Sequence, residues 1–539
     1  MSEPSSGRAA ARSRGLGIVG RPDRRSSSRQ RLARCETVPP RGSVRHAPLG
    51  EVAPREPAVR LARVDDDRPP PERVERPATL RALRAAGWRS EPVRAEIRRN
   101  VLARIAAGAP LVDGVLGFEQ TVIPQLERAL IAGHDVILLG ERGQAKSRVI
   151  RSLVELLDEW TPIVAGSEIN DDPLQPTSRY ARDLVAELCD DTPITWVHRS
   201  DRYGEKLATP DTSIADLIGE IDPIKVAEGR YLSDELTIHY GLVPRTNRGI
   251  FAVNELPDLA ERIQVGLLNV LEERDVQIRG HRVRLPVDVL LVATANPDDY
   301  TNRGRIITPL KDRFGAQIRT PYPRDVATEV AIVAHEVRPL AGAGVEVDVP
   351  AFMAEAVAWV SHAARASSRV DQRSGVSVRT SVANYETLAA ASLRRAVLAG
   401  ERVAVPRVSD LGALVPSTIG KIEVEALDEG DEDEIVGQLL ASAVLQVFRD
   451  RCPQASLAQV VAAFGEGVTA EVGTDVPSSA YVTLLASLPA LAPAVDELVG
   501  PGASPDHVAS AVELVLEGLH LSRRLNKVVL AGASTYRGR

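Results

Sequence analysis

A short apolar run that leads directly into a glycine-bearing loop is the feature that most limits how this chain can fold. The run DVILLG ends at Gly140, and the octapeptide GERGQAKS extends from Gly140 to Ser147. The next stretch, RVIRSLVELLDEW, repeats apolar residues at helical spacing. A buried strand, a tight loop, a Lys-Ser pair and a helix are therefore predicted in that order, which is the arrangement of a phosphate-binding loop.

The predicted loop places hydrogen-bond donors around a phosphate group. Backbone N–H groups and the partial positive charge of the helix N-terminus would surround the β-phosphate. The Lys146 ammonium would reach the β- and γ-phosphates, and the Ser147 hydroxyl would help to hold Mg²⁺. The sequence thus predicts binding of ATP and Mg²⁺, and a chance Lys-Ser turn is the alternative. The predicted nucleotide-binding residues of the loop are Gly140, Gly143, Gln144, Ala145, Lys146 and Ser147.

Ala145 is the one departure from the usual phosphate-loop pattern GxxxxGK[ST], which has glycine at this position. Alanine carries an additional methyl group and tolerates a positive φ poorly. We expect Ala145 to cost some stability without preventing the loop from forming.

Two further apolar runs end in polar residues that suit a hydrolytic site. The run GIFAVNE ends in Asn254 and Glu255, where aspartate and glutamate are usual. Asn254 retains an acceptor oxygen but lacks the negative charge, so we expect it to bind Mg²⁺ less tightly than aspartate. Glu255 is the predicted group that activates water, and Asn296, at the end of VDVLLVATANP, is predicted to contact the γ-phosphate or the attacking water. An ordinary exposed strand end is the alternative for Glu255.

Apolar runs alternate with helix-compatible stretches as far as Pro323, which predicts an α/β fold with a mostly parallel sheet flanked by helices. Further buried-strand candidates are 194–198, 249–255 and 287–297. Beyond Pro323 the strand patterns disappear, and a helical domain followed by a C-terminal helical region is predicted. The predicted divisions are a disordered basic tail at 1–77, a nucleotide-binding domain at 78–323, a helical lid at 324–404 and the C-terminal helical region at 405–539.

Composition excludes several other classes of protein. The net charge of −7 and the pI of about 5.9 argue against a protein that coats nucleic acid. No run approaches the ~18 apolar residues that a membrane helix needs. The three cysteines match no metal-ligand spacing, so reduced thiols and a cytoplasmic location are expected. The Arg- and Pro-rich N-terminus predicts a disordered tail, and an organellar transit peptide is its alternative.

The order of the motifs resembles that of the AAA+ ATPases. The series is GERGQAKS, GIFAVNE, LLNVLEERDVQIRG, VLLVATANP and PLKDRFG, and its details are similar to those of the magnesium chelatase ATPase subunit and the MoxR group over roughly residues 112–400. The resemblance implies that Lys146 and Ser147 belong to Walker A, Asn254 and Glu255 to Walker B, and Asn296 to sensor 1. It also implies that Arg313 is the arginine finger, which acts on the neighbouring subunit, and that Arg379 is sensor 2 on the lid.

Two segments resemble the hairpins that this group carries. One precedes Walker B, between ATPDTSIADLIGEIDP and GLVPRTNRGIFAVNE, and the other is LEERDVQIRGHRVRLP, in which Val276, Ile278 and Val283 alternate about Gly280. Plain surface hairpins without a function are the alternative.

The resemblance further implies a homo-oligomer in the form of a hexameric ring and a partner protein with a von Willebrand A domain. The predicted function is that of an ATP-hydrolysing motor that remodels a partner protein or assists metal insertion into it. An ATP-binding scaffold or switch with weak or no hydrolysis is the alternative, motivated by Ala145 and Asn254. A DNA-acting motor is less favoured, because the chain lacks a helix-turn-helix pattern and a basic stripe outside its tail.

Overall fold

A computed structural model describes residues 76–228, 234–277, 284–296, 305–342, 344–372, 375–424, 432–452, 454–530 and 533–539. The prediction of a disordered tail over 1–77 lies outside these residues except at its last two positions. The tip of the predicted hairpin about Gly280, with Ile278 and Val283, also lies outside them.

Five parallel strands form the central sheet, which we number β1 to β5 in chain order. They are Val136–Leu139, Tyr203–Leu207, Gly249–Asn254, Val289–Ala295 and Ala316–Arg319. Their spatial order is β5-β1-β4-β3-β2, and every neighbouring pair is parallel. Side chains from both faces of β1, β3 and β4 enter two separate apolar cores, which explains why these strands are continuous apolar runs.

The register of the sheet brings the carboxyl ends of the strands to one edge. Leu139 at the end of β1 pairs with Ala295 of β4, and Asn254 at the end of β3 pairs with Leu207 of β2. Because the strands are parallel, the loops that follow them begin side by side at this edge. The polar residues after β1, β3 and β4 are therefore placed close together.

Helices and small two-stranded sheets surround the central sheet. The helices up to the end of β5 are Leu80–Ala85, Val93–Ala106, Val122–Ala132, Lys146–Ser152, Arg179–Leu188, Ile214–Leu217, Pro223–Ala227, Leu242–Arg245, Glu261–Glu272 and Thr308–Arg313. Three two-stranded antiparallel sheets pair Trp160–Val164 with Ile194–His198, Gly219–Ile221 with Ile238–Tyr240, and Asp275–Gln277 with Arg284–Pro286.

Helices dominate the rest of the chain. Val326–Glu336, Ala351–Ala366 and Val378–Ala399 form what we call the three-helix segment. Further helices are Val415–Ile419, Glu432–Arg451, Gln454–Gly465, Ser478–Ser487, Ala492–Val499 and Pro505–Leu521. Among the described residues no single helix is long and apolar enough to cross a membrane, and the one pair that passes together on length and composition, Ser478–Ser487 with Pro489–Val499, is bent by 102°.

Three features of the fold differ from the sequence-based expectations. Residues 194–198 are not a buried parallel strand: they pair antiparallel with Trp160–Val164 outside the central sheet. Strands also do not disappear after Pro323, because 341–342, 345–347 and 403–404 form one small sheet and 469–473, 526–530 and 533–537 another. The helix after the phosphate loop ends at Ser152 and continues only as a 3₁₀ turn, so Trp160 begins a strand instead.

Two of the three cysteines lie within the described residues. The Cys452 thiol is free and buried, in agreement with the expected reduced state. Cys35 lies outside the described residues.

Candidate nucleotide site

The loop from Gly140 to Ser147 connects β1 to the helix Lys146–Ser152 and is held in a tight conformation. A Cβ atom on Gly140 would lie 1.9 Å from the Thr320 hydroxyl oxygen and 2.1 Å from the Gln144 side-chain oxygen, so only glycine fits there. Gly143 has a φ of 74°. Ala145 has a φ of 53°, a left-handed conformation that costs an alanine about 1–2 kcal/mol. The strain expected at Ala145 is therefore present, and the loop forms despite it.

Lys146 lies at the centre of a hydrogen-bonded chain that joins the three strand ends. Its ammonium group is buried and donates to the backbone oxygens of Gly140 and of Glu141, the latter at 2.7 Å. It also donates to the Asn296 side-chain oxygen at 2.8 Å. The Asn296 amide in turn donates to the Glu255 carboxylate at 3.0 Å. The structure thus brings together the three side chains that were predicted to surround the γ-phosphate.

Glu255 is positioned by an unusual backbone conformation. It has φ 55° and ψ 48°, a left-handed conformation that is uncommon for a residue with a side chain. Its backbone N–H donates to the Thr294 hydroxyl at 2.9 Å, which anchors it to β4. Such strain is frequent at functional sites, where the surrounding contacts impose it.

Ser147 and Asn254 provide oxygens for a magnesium ion. The Ser147 hydroxyl lies 3.5 Å from the Asn254 side-chain oxygen, and the Thr294 hydroxyl lies 3.4 Å from the same oxygen. Hydroxyl and amide oxygens suit Mg²⁺, which completes its octahedral shell with phosphate oxygens and water. The residues present therefore fit the ion.

A cavity of about 1000 Å³ opens beside the loop and is lined by three parts of the chain. The loop and its helix form one wall, and Val115 and Leu116 form a second. The third belongs to the three-helix segment, where Ile332 and the exposed Arg379 line the cavity. Arg379 is thus on the same cavity as Lys146 and Ser147, as predicted.

Arg313 is not brought into this cavity. It lies at the end of the helix Thr308–Arg313, where its Nε donates to the Glu272 carboxylate at 2.8 Å and one terminal nitrogen donates to the Pro309 oxygen at 2.8 Å. Within one subunit Arg313 therefore does not belong to the group of residues around Lys146.

Sequence reasoning missed several residues of the site. Glu205 on β2 accepts a hydrogen bond from the Asn254 amide, and Thr294 contacts both Asn254 and Glu255. The Thr320 hydroxyl donates to Gln144 at 2.9 Å and packs against Gly140. No motif marked these residues, because their roles depend on which strands are neighbours in the sheet.

Comparison with known proteins gives a family match and several relatives for parts of the chain. A family model described as the Sigma-54 interaction domain matches residues 228–310. The magnesium-chelatase 38 kDa subunit of Cereibacter sphaeroides is 30% identical over 234 residues, which are 41% of this chain and 61% of the relative. The family match contains the strands β3 and β4. The chain has an AAA+ fold.

Within the AAA+ class the chain is related to the ATPase subunits of magnesium chelatase. The chloroplastic subunit ChlI of Oryza sativa subsp. indica is 27% identical over 302 residues, which are 49% of this chain and 66% of the relative. The chloroplastic subunit ChlI-2 of Arabidopsis thaliana is 29% identical over 219 residues, 38% of this chain and 46% of the relative. The chain thus spans about half to two thirds of the length of these relatives.

Solved structures align over much of the AAA+ chain at low similarity. A chain from the complex between subunits BchI and BchD of magnesium chelatase aligns with a TM-score of 0.32 and 17% identity, over 61% of this chain and 99% of that one. NtrX from Brucella abortus in complex with ADP aligns with a TM-score of 0.34 and 16% identity, over 72% of each chain. The AAA+ fold assignment rests on the sheet order and the motifs.

Proposed function

We propose that this AAA+ protein binds ATP at the Gly140–Ser147 loop and hydrolyses it as a subunit of a ring-shaped motor. The observation that carries the proposal is the hydrogen-bonded chain from Lys146 through Asn296 to Glu255. An ammonium group, an amide and a carboxylate are the groups needed to bind a γ-phosphate and to orient the water that attacks it.

The chemistry follows from what each side chain can accept or donate. Lys146 neutralises charge on the β- and γ-phosphates, and Asn296 contacts the γ-phosphate or the water. The Glu255 carboxylate accepts a proton from this water as it attacks. Mg²⁺, held by Ser147 and Asn254, would neutralise charge on the phosphate oxygens. Arg379 would contact the phosphates from the three-helix segment, which acts as the lid.

In this proposal the motor is a homo-oligomer, a hexameric ring in which Arg313 of one subunit reaches the ATP of the next. This role explains why Arg313 lies outside the cavity of its own subunit. Removal of the γ-phosphate breaks the contact between subunits and shifts the lid. The relationship to magnesium chelatase subunits and the likeness of the motifs to the MoxR group support a machine that remodels a von Willebrand A partner protein or assists metal insertion into it. A cytoplasmic location is part of the proposal.

An ATP-binding scaffold or switch with weak or no hydrolysis is the second candidate. Asn254 in place of aspartate and the left-handed Ala145 favour it, because one removes a charge near Mg²⁺ and the other strains the loop. In a switch, bound ATP would hold one conformation of the lid without being turned over.

Phosphate release and nucleotide affinity, measured side by side on the full chain, test both candidates. For a motor we expect turnover that falls by about 10²–10⁴ in Glu255→Gln, while ATP affinity is kept. Lys146→Ala should lose both turnover and ATP affinity. Tight binding with turnover that is equally low in wild type and Glu255→Gln would favour the switch, and absence of binding would contradict both.

A further inference from the structure

The Walker B strand presents an amide where a carboxylate is usual, and this amide lies between two other polar side chains. The nitrogen of the Asn254 side chain donates to Glu205, and its oxygen faces the Ser147 hydroxyl at 3.5 Å. Asn254 and Glu205 lie on the neighbouring strands β3 and β2, near their carboxyl ends. The orientation of the amide therefore decides whether an oxygen or an NH₂ group faces the magnesium site.

Glu205 is itself held firmly. Both of its oxygens accept hydrogen bonds of 2.8 Å from the Arg151 guanidinium, and one accepts a bond of 3.0 Å from the Tyr203 hydroxyl. Its side chain is only 20% exposed. The two bonds from the Arg151 guanidinium pair Glu205 with a positive charge, which favours the ionised carboxylate.

An ionised carboxylate can only accept hydrogen bonds, so it selects one orientation of a neighbouring amide. With Glu205 as acceptor, Asn254 must direct its NH₂ group toward β2 and its oxygen toward Ser147. The reversed amide would place two oxygens against each other at Glu205 and would present an NH₂ group to the cation.

We propose that Glu205 is the positioning residue for the magnesium site: it fixes the Asn254 amide so that its oxygen faces Ser147 and the cation. The inference rests on the proposed function, since it concerns Mg²⁺ bound with a nucleotide at this loop. Asn254 and Glu205 are then a matched pair that together replace the aspartate of the usual Walker B motif.

The presence of Glu205 reverses the effect that aspartate at position 254 would otherwise have on magnesium binding. Aspartate at position 254 would place a second carboxylate in hydrogen-bonding contact with Glu205, and like charges at this distance oppose each other. Restoring the usual Walker B residue should therefore weaken magnesium binding. Changing Glu205 to glutamine at the same time should relieve the repulsion, because the glutamine amide can donate a hydrogen bond to the introduced carboxylate.

The test uses the full chain and a fluorescent N-methylanthraniloyl derivative of ADP, titrated with MgCl₂. We expect Glu205→Gln and Asn254→Asp each to raise the Mg²⁺ concentration at half-saturation by about tenfold. The double variant N254D/E205Q should return to within about threefold of wild type. Glu220→Gln, the same change at an exposed glutamate, should match wild type. Affinity for the derivative in EDTA should be equal in all variants, which reports an intact loop.

Two results would overturn only the role of Glu205, and a third would also overturn the proposed function. A Glu205→Gln variant with the magnesium dependence of wild type, or an Asn254→Asp variant that binds Mg²⁺ more tightly while Glu205 is present, overturns the inference alone. A wild-type chain that binds the derivative at no Mg²⁺ concentration overturns the proposed function and the inference together.

Discussion

The Asn296 amide donates a hydrogen bond of 3.0 Å to the Glu255 carboxylate. Its oxygen accepts at the same time from the Lys146 ammonium, at 2.8 Å. Only a side chain with one donor and one acceptor can bridge an ammonium and a carboxylate in this way. Asn296 therefore sets the distance between the group that binds phosphate and the group proposed to activate water.

Aspartate at position 296 tests this bridge with almost no change in shape. Asn296→Asp keeps the acceptor for Lys146 but replaces the donor to Glu255 with a second negative charge. We expect ATP turnover to fall by about 10²-fold, which is the effect of removing one donor from a catalytic site. ATP affinity should change far less, because Lys146 and the loop remain. Asn296→Asp with normal turnover would contradict the bridging role, and parallel affinity measurements serve as the control.

Ala145 provides a prediction about stability. Its left-handed backbone, with φ 53°, is unfavourable for alanine and neutral for glycine. We expect Ala145→Gly to raise the free energy of unfolding by about 0.5–1 kcal/mol, the difference between the relieved strain and the added flexibility of the unfolded chain. Urea unfolding measures it.

Ala390→Gly is the matched control for this substitution. Ala390 is exposed in the middle of the right-handed helix Val378–Ala399, so glycine there should destabilise by about 1 kcal/mol. Equal effects of the two substitutions would show that the backbone at Ala145 is not strained in solution.

The sequence predicted those parts of the fold whose signals are local. The strands at 136–139, 249–254 and 289–295 are apolar runs because they are buried on both faces, and the phosphate loop is recognisable from its own residues. Strand β2 was missed because it lies at the edge of the sheet, where YGEKL needs no apolar run. The run 194–198 has the opposite property: it is apolar enough to suggest a strand of the central sheet, but it belongs to a separate two-stranded antiparallel sheet.

In the candidate site, too, only the residues with a local sequence signal could be predicted. Lys146, Asn296 and Glu255 could be predicted because each follows or ends a recognisable strand. Glu205 could not, because its contact with Asn254 arises only when β2 and β3 lie side by side. The substitution of asparagine for aspartate was visible in the sequence, but the carboxylate that accompanies it was not.

The position of Arg313 predicts complementation between subunits. Because Arg313 contacts Glu272 and does not line the cavity of its own subunit, its proposed action is on the neighbouring ATP. Arg313→Ala alone should lower turnover by about 10³-fold. Lys146→Ala alone should abolish it. Mixing the two variants should restore activity at those interfaces where an intact Lys146 meets an intact Arg313.

The control for complementation is the double variant K146A/R313A. Mixed with Arg313→Ala, it supplies neither an intact loop nor an arginine, so turnover should stay at the level of the single variant. Restoration by the double variant, or none in the mixture of single variants under conditions where they co-assemble, would argue against action between subunits.

Glu329 predicts a pH dependence of stability in the three-helix segment. Its carboxylate is fully buried and accepts hydrogen bonds of 2.6 and 3.1 Å from Arg365, with His362 2.9 Å away and Ser381 as a further donor. Burial alone would raise the pKa of Glu329, but the nearby His362 ring and the hydrogen bonds from Arg365 and Ser381 outweigh it and lower the pKa below its usual value.

A carboxyl group whose pKa is lower in the folded chain stabilises the fold above its unfolded pKa, which is about 4.3 for glutamate, and loses this contribution as the pH falls through the folded pKa. Glu329→Gln should therefore be less stable than wild type by about 3 kcal/mol at pH 7, since it leaves Arg365 without its partner. This difference in the free energy of unfolding should stay constant down to about pH 5 and shrink below about pH 4.3.

Urea unfolding followed by tryptophan fluorescence across this pH range measures the difference. Glu346→Gln, the same change at an exposed glutamate, is the control and should stay within about 0.5 kcal/mol of wild type. A deficit in Glu329→Gln that does not shrink on acidification would mean that the carboxylate of Glu329 is not the stabilising charge.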